Sequence, residues 1–243
     1  MKKFLPLILL GLGILVVIGA FAFVRKNASK TEVVEEEEET VQELSFDMKP
    51  FVTLTPSEDG HWLTLKISHI VVSAATLDYE LVYSLPDGRQ QGVPGTVKLS
   101  GEDVERKLLL GSESSGKFRY DEGVKTGQIS VKFRNEKGKL VGKVTGEFSL
   151  LSNTDTLTSP DGKFTYKLDK ASKGYFVTMA TFGAPSQIAN VMSGPYAVLS
   201  DSSKNTSGKV MMDGKLKMYT DSKWTDVVDN TSDMIGVFAS VSE

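Results

Sequence analysis

The sequence predicts a mainly β fold built from antiparallel sheets and attached to an N-terminal apolar helix. Three observations carry that expectation. Apolar residues alternate at period two almost everywhere after Leu44, four Asp-Gly pairs separate the alternating runs, and Phe4 to Val24 contains no charged residue.

The uncharged run, FLPLILLGLGILVVIGAFAFV, spans 21 residues. As a helix rising about 1.5 Å per residue it matches the roughly 30 Å hydrocarbon core of a bilayer. Fifteen of its residues are Leu, Ile, Phe or Val, and each favours insertion by about 0.3–0.6 kcal/mol at the helix centre. Lys2 and Lys3 precede the run, and Arg25, Lys26 and Lys30 follow it, so flanking charge alone does not orient it. A short N-terminal stub and a long C-terminal cargo favour a C-terminus outside the cytoplasm. The alternative is secretion after cleavage following Ala22, since Ala20-Phe21-Ala22 fits a small-x-small cleavage pattern. The expected partner of this segment, residues 1–27, is the lipid bilayer.

Residues 28–44 form the expected linker. Glu32, Glu35 to Glu39 and Glu43 repel one another and bury no core, which describes an extended acidic tether. Five Lys/Arg and seven Glu precede Ser45 and the whole chain carries a net −3, which leaves the remainder near −1. Such a balanced surface has no basic footprint for nucleic acid. The chain has no cysteine, which excludes a disulfide framework, thiolate metal sites and a cysteine nucleophile.

The strands follow in order. Trp62 to Ile67 is rich in strand formers, and Leu77, Tyr79, Leu81, Tyr83 and Leu85 alternate. Ile129, Val131 and Phe133 face one way on the next run. Leu140, Gly142, Val144, Gly146, Phe148 and Leu150 share a face on the one after it. Asn135-Glu136-Lys137-Gly138 between those two runs reads as a hairpin turn in which Gly138 supplies the positive φ. Further turns are expected at Asp59, Asp87, Asp161 and Asp213, each followed by Gly. Short helical turns fit near residues 101–104 and 185–192. The polar stretch Leu151 to Pro160 suggests a boundary. It divides the cargo into domains 45–151 and 152–243, each the size of an immunoglobulin-like sandwich. One larger β-sandwich is the alternative. The second part is expected to run through strands 163–168, 174–181, 195–200, 209–212, 215–220, 223–228 and 234–241.

The stretch Leu108 to Val124, with the strand Gln128 to Phe133 after it, resembles uncharacterised membrane-anchored proteins of small-genome bacteria that pair such an anchor with Ig-like β-sandwich domains. The resemblance spans roughly residues 45–150. It implies a cell-envelope location and transfers no functional residue.

Catalytic motifs are weak throughout. His61 and His69 flank one predicted strand about 26 Å apart along it, too far to share a metal. Gly111-Ser112-Glu113-Ser114-Ser115-Gly116 lacks the glycine spacing of a nucleophile elbow and reads as a flexible loop. Asp226, Asp229, Asn230 and Asp233 form an oxygen-rich loop, a calcium candidate against the plainer reading of turn chemistry. Trp224, between polar neighbours, is the candidate for aromatic contact. Trp62, Tyr175, Tyr196 and Tyr219 are weaker members of such a platform, because strand aromatics usually fill cores. Asn205-Thr206-Ser207 and Asn230-Thr231-Ser232 match glycosylation sequons, relevant only in a glycosylating host.

The functional expectation is a membrane-anchored, extracytoplasmic binding or structural module of the cell envelope. It is non-enzymatic, needs no cofactor and takes an envelope protein or glycan as partner. The alternatives are an envelope hydrolase or carbohydrate-processing enzyme, and an accessory subunit of a membrane complex.

Overall fold

The computed structural model describes residues 44–202 and 206–242. The expected anchor at Phe4–Val24 and nearly all of the acidic linker lie outside the described residues. Among the described residues no helix is long and apolar enough to cross a membrane.

The described chain is mainly β. Its strands are β1 (Phe51–Pro56), β2 (Trp62–Ser68), β3 (Thr76–Ser84), β4 (Gln90–Lys98), β5 (Val104–Leu109), β6 (Gly111–Ser114), β7 (Lys117–Tyr120), β8 (Thr126–Arg134) and β9 (Leu140–Leu151). They continue as β10 (Thr154–Thr158), β11 (Thr165–Ser172), β12 (Phe176–Ala180), β13 (Val191–Leu199), β14 (Gly208–Met211), β15 (Lys215–Thr220), β16 (Lys223–Asp226), β17 (Thr231–Ser232) and β18 (Val237–Val241). All pairings are antiparallel. A nine-stranded sheet runs β16-β15-β18-β13-β12-β9-β8-β3-β4. A three-stranded sheet runs β1-β2-β5, a four-stranded sheet runs β10-β11-β14-β17, and β6 and β7 form a separate hairpin.

The two smaller sheets cover opposite faces of the large one. Val52, Leu54, Leu63, Leu65 and Ile67 of the three-stranded sheet share a core with Leu77, Leu81, Ile129, Val131, Phe133 and Phe148. Leu157, Tyr166, Leu168 and Val210 of the four-stranded sheet share a second core with Phe176, Tyr196, Val198 and Phe238. On β12, Val177 and Met179 belong to the first core while Phe176 belongs to the second. Ala197 and Tyr196 divide in the same way on β13, as do Val237 and Phe238 on β18. Successive side chains point to opposite faces of a strand, so these three strands lie between the two cores. Their largely apolar character follows from burial on both sides, the logic usually met in parallel sheets.

Strand β9 is the splice. It pairs with β8 over Leu140–Ser149 and with β12 over Phe148–Leu151. The polar stretch Leu151 to Pro160 holds β10. Thr154-Asp155-Thr156-Leu157-Thr158 alternates β-branched residues around Leu157, which is fully buried. The stretches near 101–104 and 185–192 form no helix, and the helical turns that do occur are single 3-10 turns at Phe46–Met48 and Val228–Asn230.

The turns follow their chemistry. At Asn135–Gly138, Gly138 has φ +76° and its N–H donates to the Asn135 carbonyl. The Asn135 side chain accepts from the Lys137 and Lys139 N–H groups. The hairpins β1–β2 and β10–β11 close with the same device. Ser57 Oγ donates to Asp59 and accepts the Trp62 N–H, and Ser159 Oγ donates to Asp161 and accepts the Phe164 N–H. Thus Ser-x-Asp-Gly-x-aromatic opens each covering sheet, a correspondence hidden because the flanking residues differ.

Asp161 also accepts a hydrogen bond from Tyr196 Oη at 2.5 Å. Burial pushes its carboxyl up, but bonds from Ser159, Tyr196 and the Lys163 N–H outweigh this and hold it below its ordinary value of 3.8. The linked stabilisation is therefore fully present above that ordinary value and is lost as pH falls through the lower, folded-state value. Asp161→Asn is expected to cost about 1–2 kcal/mol at pH 7 and to flatten the acid limb of stability, as measured by urea unfolding from pH 7 downward. The same urea measurement serves Ser240→Ala. Among the described residues, Ser240 Oγ is buried with no hydrogen-bond partner. Its removal is expected to be neutral or to stabilise by up to about 1 kcal/mol.

Candidate aromatic contact site

The segment read as a flexible loop is the hairpin β6–β7. Ser115 and Gly116 at its tip have φ +53° and +76°, the positive pair that a two-residue turn requires. The register sets Gly111 opposite Tyr120 and Glu113 opposite Phe118. Phe118 and Tyr120, two residues apart, share one face of β7, with 45% and 38% of their surface exposed. Large aromatics left open to this degree on an exposed face are informative in a way that scattered aliphatics are not.

The base of the hairpin is fixed. Leu110 is fully buried, its N–H donates to the His61 carbonyl, and its own carbonyl accepts the Asp121 N–H. Tyr83 Oη donates to Asp121 at 2.8 Å. Burial, with that carboxylate beside it, pushes the Tyr83 hydroxyl up and keeps it neutral. Gly60, at φ +73°, lies so close to the Tyr175 ring that a Cβ there would come within 2.5 Å of it.

Four rings form a continuous strip. Trp62 meets Phe118 edge-on at 5.7 Å, Phe118 lies parallel to Tyr120 at 6.2 Å, and Tyr120 stacks on His61 at 4.2 Å. A cleft opens at each end. The one at Trp62, about 300 Å³, is lined by Pro56, Ser57, Thr64, Lys107 and Asp201. The one at His61, about 310 Å³, is lined by Asp121, Glu122, Lys125 and Tyr175 among others.

The residues singled out from sequence are dispersed. Trp224 is half-buried, donates from Nε1 to the Ser186 carbonyl at 3.3 Å and leans on Tyr219 at 5.4 Å. Tyr196 lies in the second core. Asp226 holds Lys217 at 2.6 Å and Lys215 at 3.0 Å, and these two lysines pull its carboxyl below the usual range. Asp229 and Asn230 sit at positive φ in the turn after β16, and Asp229, Asn230 and Asp233 are all exposed. Among the described residues no three His, Asp or Glu side chains group in a way that could hold a metal ion. His61 and His69 stand at opposite ends of β2. Asn205 lies outside the described residues, and Thr231 Oγ1 of the other sequon donates to the Val228 carbonyl.

A larger depression of about 360 Å³ lies on the outer face of β4, β3 and β8. Arg134 and Asp78 fill its centre as an ion pair at 2.7 Å, with Thr96 donating to the same carboxylate. Burial raises the Asp78 carboxyl, but the bonds from Arg134 and Thr96 outweigh it and leave it ionised. These groups satisfy one another.

Phe118 and Tyr120 are what sequence reasoning missed. Lys117-Phe118-Arg119-Tyr120 alternates charge with ring directly after Ser115-Gly116, which is a strand signature with two aromatics on one side. The chain matches no protein family model, no curated protein and no solved structure.

Proposed function

We propose that the chain is a non-enzymatic binding module of the cell envelope, held by the Phe4–Val24 segment with its β region outside the cytoplasm. The strip Trp62–Phe118–Tyr120–His61, exposed at Phe118 and Tyr120 and half-buried at Trp62 and His61, is the contact surface. That strip is the observation that carries the reading, because two exposed rings on a pinned hairpin, Phe118 and Tyr120, backed by the half-buried rings of Trp62 and His61, mark a recognition surface. The finer architecture belongs to the same proposal. Two immunoglobulin-like sandwiches divide near residues 151 and 152, the three-stranded sheet covers one and the four-stranded sheet the other, and they share the large sheet.

Five aspartates among the described residues are held by bonds to neighbours. Asp59, Asp78, Asp87, Asp161 and Asp226 are all displaced downward, and each is bonded to a neighbouring side chain. Burial pushes Tyr166 and Tyr196 up to about 12.

The test uses full-length protein in its native membrane. Wild type is expected to resist alkaline extraction, to be cut by protease added outside, and to migrate with a partner after mild solubilisation. The double variant F118S/Y120S should keep the first two properties and lose the third. Release by alkali contradicts the anchor, and identical migration of variant and wild type contradicts the contact surface.

A further inference from the structure

We infer that the open edge of β7 takes up an extended acidic-apolar polypeptide segment as an added strand, an assignment that rests on the binding-module reading and gives its partner a chemistry. An edge strand presents a row of N–H and C=O groups at the spacing of another backbone, and native proteins usually close that row.

The longer edges of this protein are closed. On β4, the Leu85 N–H donates to the Arg89 carbonyl and the Leu99 N–H to the Ala75 carbonyl. The register sets Glu80 opposite Pro94, so by alternation Pro94 turns its nitrogen to the open side. With no N–H there, the row is broken. On β5, the Leu110 N–H donates to the His61 carbonyl, and the same alternation turns Glu105 outward. Arg106 shares the face of buried Val104 and Leu108, reaches out, and donates to the Glu105 carbonyl at 2.7 Å. On β10, the Ser159 N–H donates to the Phe164 carbonyl, which turns Thr156 and Thr158 outward. Thr154 Oγ1 accepts the Thr156 N–H at 3.0 Å and donates to the Thr156 carbonyl at 3.3 Å, while Thr178 Oγ1 donates to the Thr158 carbonyl.

The edge of β7 has no such closure. Its two-residue turn, and the Asp121 N–H donating to the Leu110 carbonyl, set the bonded pairs at Ser114 with Lys117 and Ser112 with Arg119. The backbone groups of Phe118 and Tyr120 therefore point away from β6. Among the described residues nothing bonds to them, and all four residues of β7 are exposed. On the other side of the hairpin, the Gly111 N–H is taken up by the Tyr83 hydroxyl. The edge strand β16 is equally short, but its Trp224 is held by the Ser186 carbonyl and its Asp226 by Lys215 and Lys217.

The side chains of β7 indicate what the added strand carries. Phe118 and Tyr120 lie on one face, Lys117 and Arg119 on the other. The cross-strand neighbours of the two cations are Ser114 and Ser112, and among the described residues neither cation pairs with a carboxylate. A segment that alternates acidic with apolar residues complements both faces at once, its carboxylates beside Lys117 and Arg119 and its apolar side chains beside the two rings.

The probes are two fluorescein-labelled, acetylated nonapeptides, Glu alternating with Val and Glu alternating with Tyr, together with their Lys counterparts. They are titrated against full-length protein in an uncharged detergent and read by anisotropy. At least one Glu peptide should bind saturably, about tenfold or more tightly than its Lys counterpart. N-methylation of alternate residues blocks one side of a peptide backbone at a time, so one alternate set should abolish binding and the other leave it. K117E/R119E, with melting curves to establish its fold, should exchange the preference from the Glu to the Lys peptide. Absence of saturable binding by both Glu peptides overturns the assignment. Equal effects of the two methylated sets overturn it, as does a preference unmoved in K117E/R119E. If the assignment fails while F118S/Y120S still loses the native partner, the module reading stands; if F118S/Y120S keeps that partner, the module reading falls as well.

Discussion

Phe238→Ala is expected to destabilise the fold by about 3–5 kcal/mol, which lowers the melting temperature by on the order of 10 °C in a chain of this size. Phe238 has no exposed surface and sits on β18, an interior strand third from one edge of the nine-stranded sheet. Phe164, just before β11, and Tyr166, on β11 of the four-stranded sheet, hold its ring at 5.8 and 5.7 Å. Truncation removes the contact between two layers and leaves a cavity that flanking strands, fixed by ladder hydrogen bonds on both sides, close only in part. Chemical denaturation of variant and wild type measures the difference. A loss below about 1 kcal/mol would mean that the four-stranded sheet does not pack on β18.

Val177→Asp should be at least as damaging, about 4 kcal/mol or more. Val177 faces the first core, whereas its neighbour Thr178 points to the other side and donates to the Thr158 carbonyl at 2.8 Å. A carboxylate at 177 has no cation in that core and no route to water. Thr178→Val, on the opposite face, should cost only about 1–3 kcal/mol, the consequence of a carbonyl losing its donor. Because β12 joins β9 to β13 in one sheet, unfolding should register together at both ends. Trp62 and Trp224, each left as the lone tryptophan by replacing the other with Phe, should report the same urea midpoint. Separated midpoints would contradict the continuous sheet.

Much of this architecture was legible in the residues. Alternation marked the strands from Leu77 to Leu85 and from Leu140 to Leu150, and all four Asp-Gly pairs place their glycine at positive φ. Those signals are local, so a short window contains them. What the residues did not reveal is which face of which strand meets which sheet. Val177 and Phe176 are adjacent and so point to opposite faces of one strand, but nothing in their order says that a separate sheet covers each face. The same limit hid β10, whose threonines resemble a polar linker until Leu157 is seen to be covered. The hairpin of the contact site was hidden in the opposite direction. Gly111 to Gly116 looked unstructured because its residues are small and polar, yet two of them form the turn that presents Phe118 and Tyr120. Trp224 drew notice for its polar neighbours, but the Ser186 carbonyl and Tyr219 occupy it.

The most direct test of the contact surface is site-specific photo-cross-linking of the full-length protein in its native membrane. A photoreactive side chain replaces Phe118 in one sample and Glu147, on the exposed outer side of β9, in another. Reproducible adducts of defined mass from position 118 and none from position 147 are the predicted result. No adduct at position 118, or equal yields at the two positions, would contradict the claim that the aromatic strip is where this protein meets its partner.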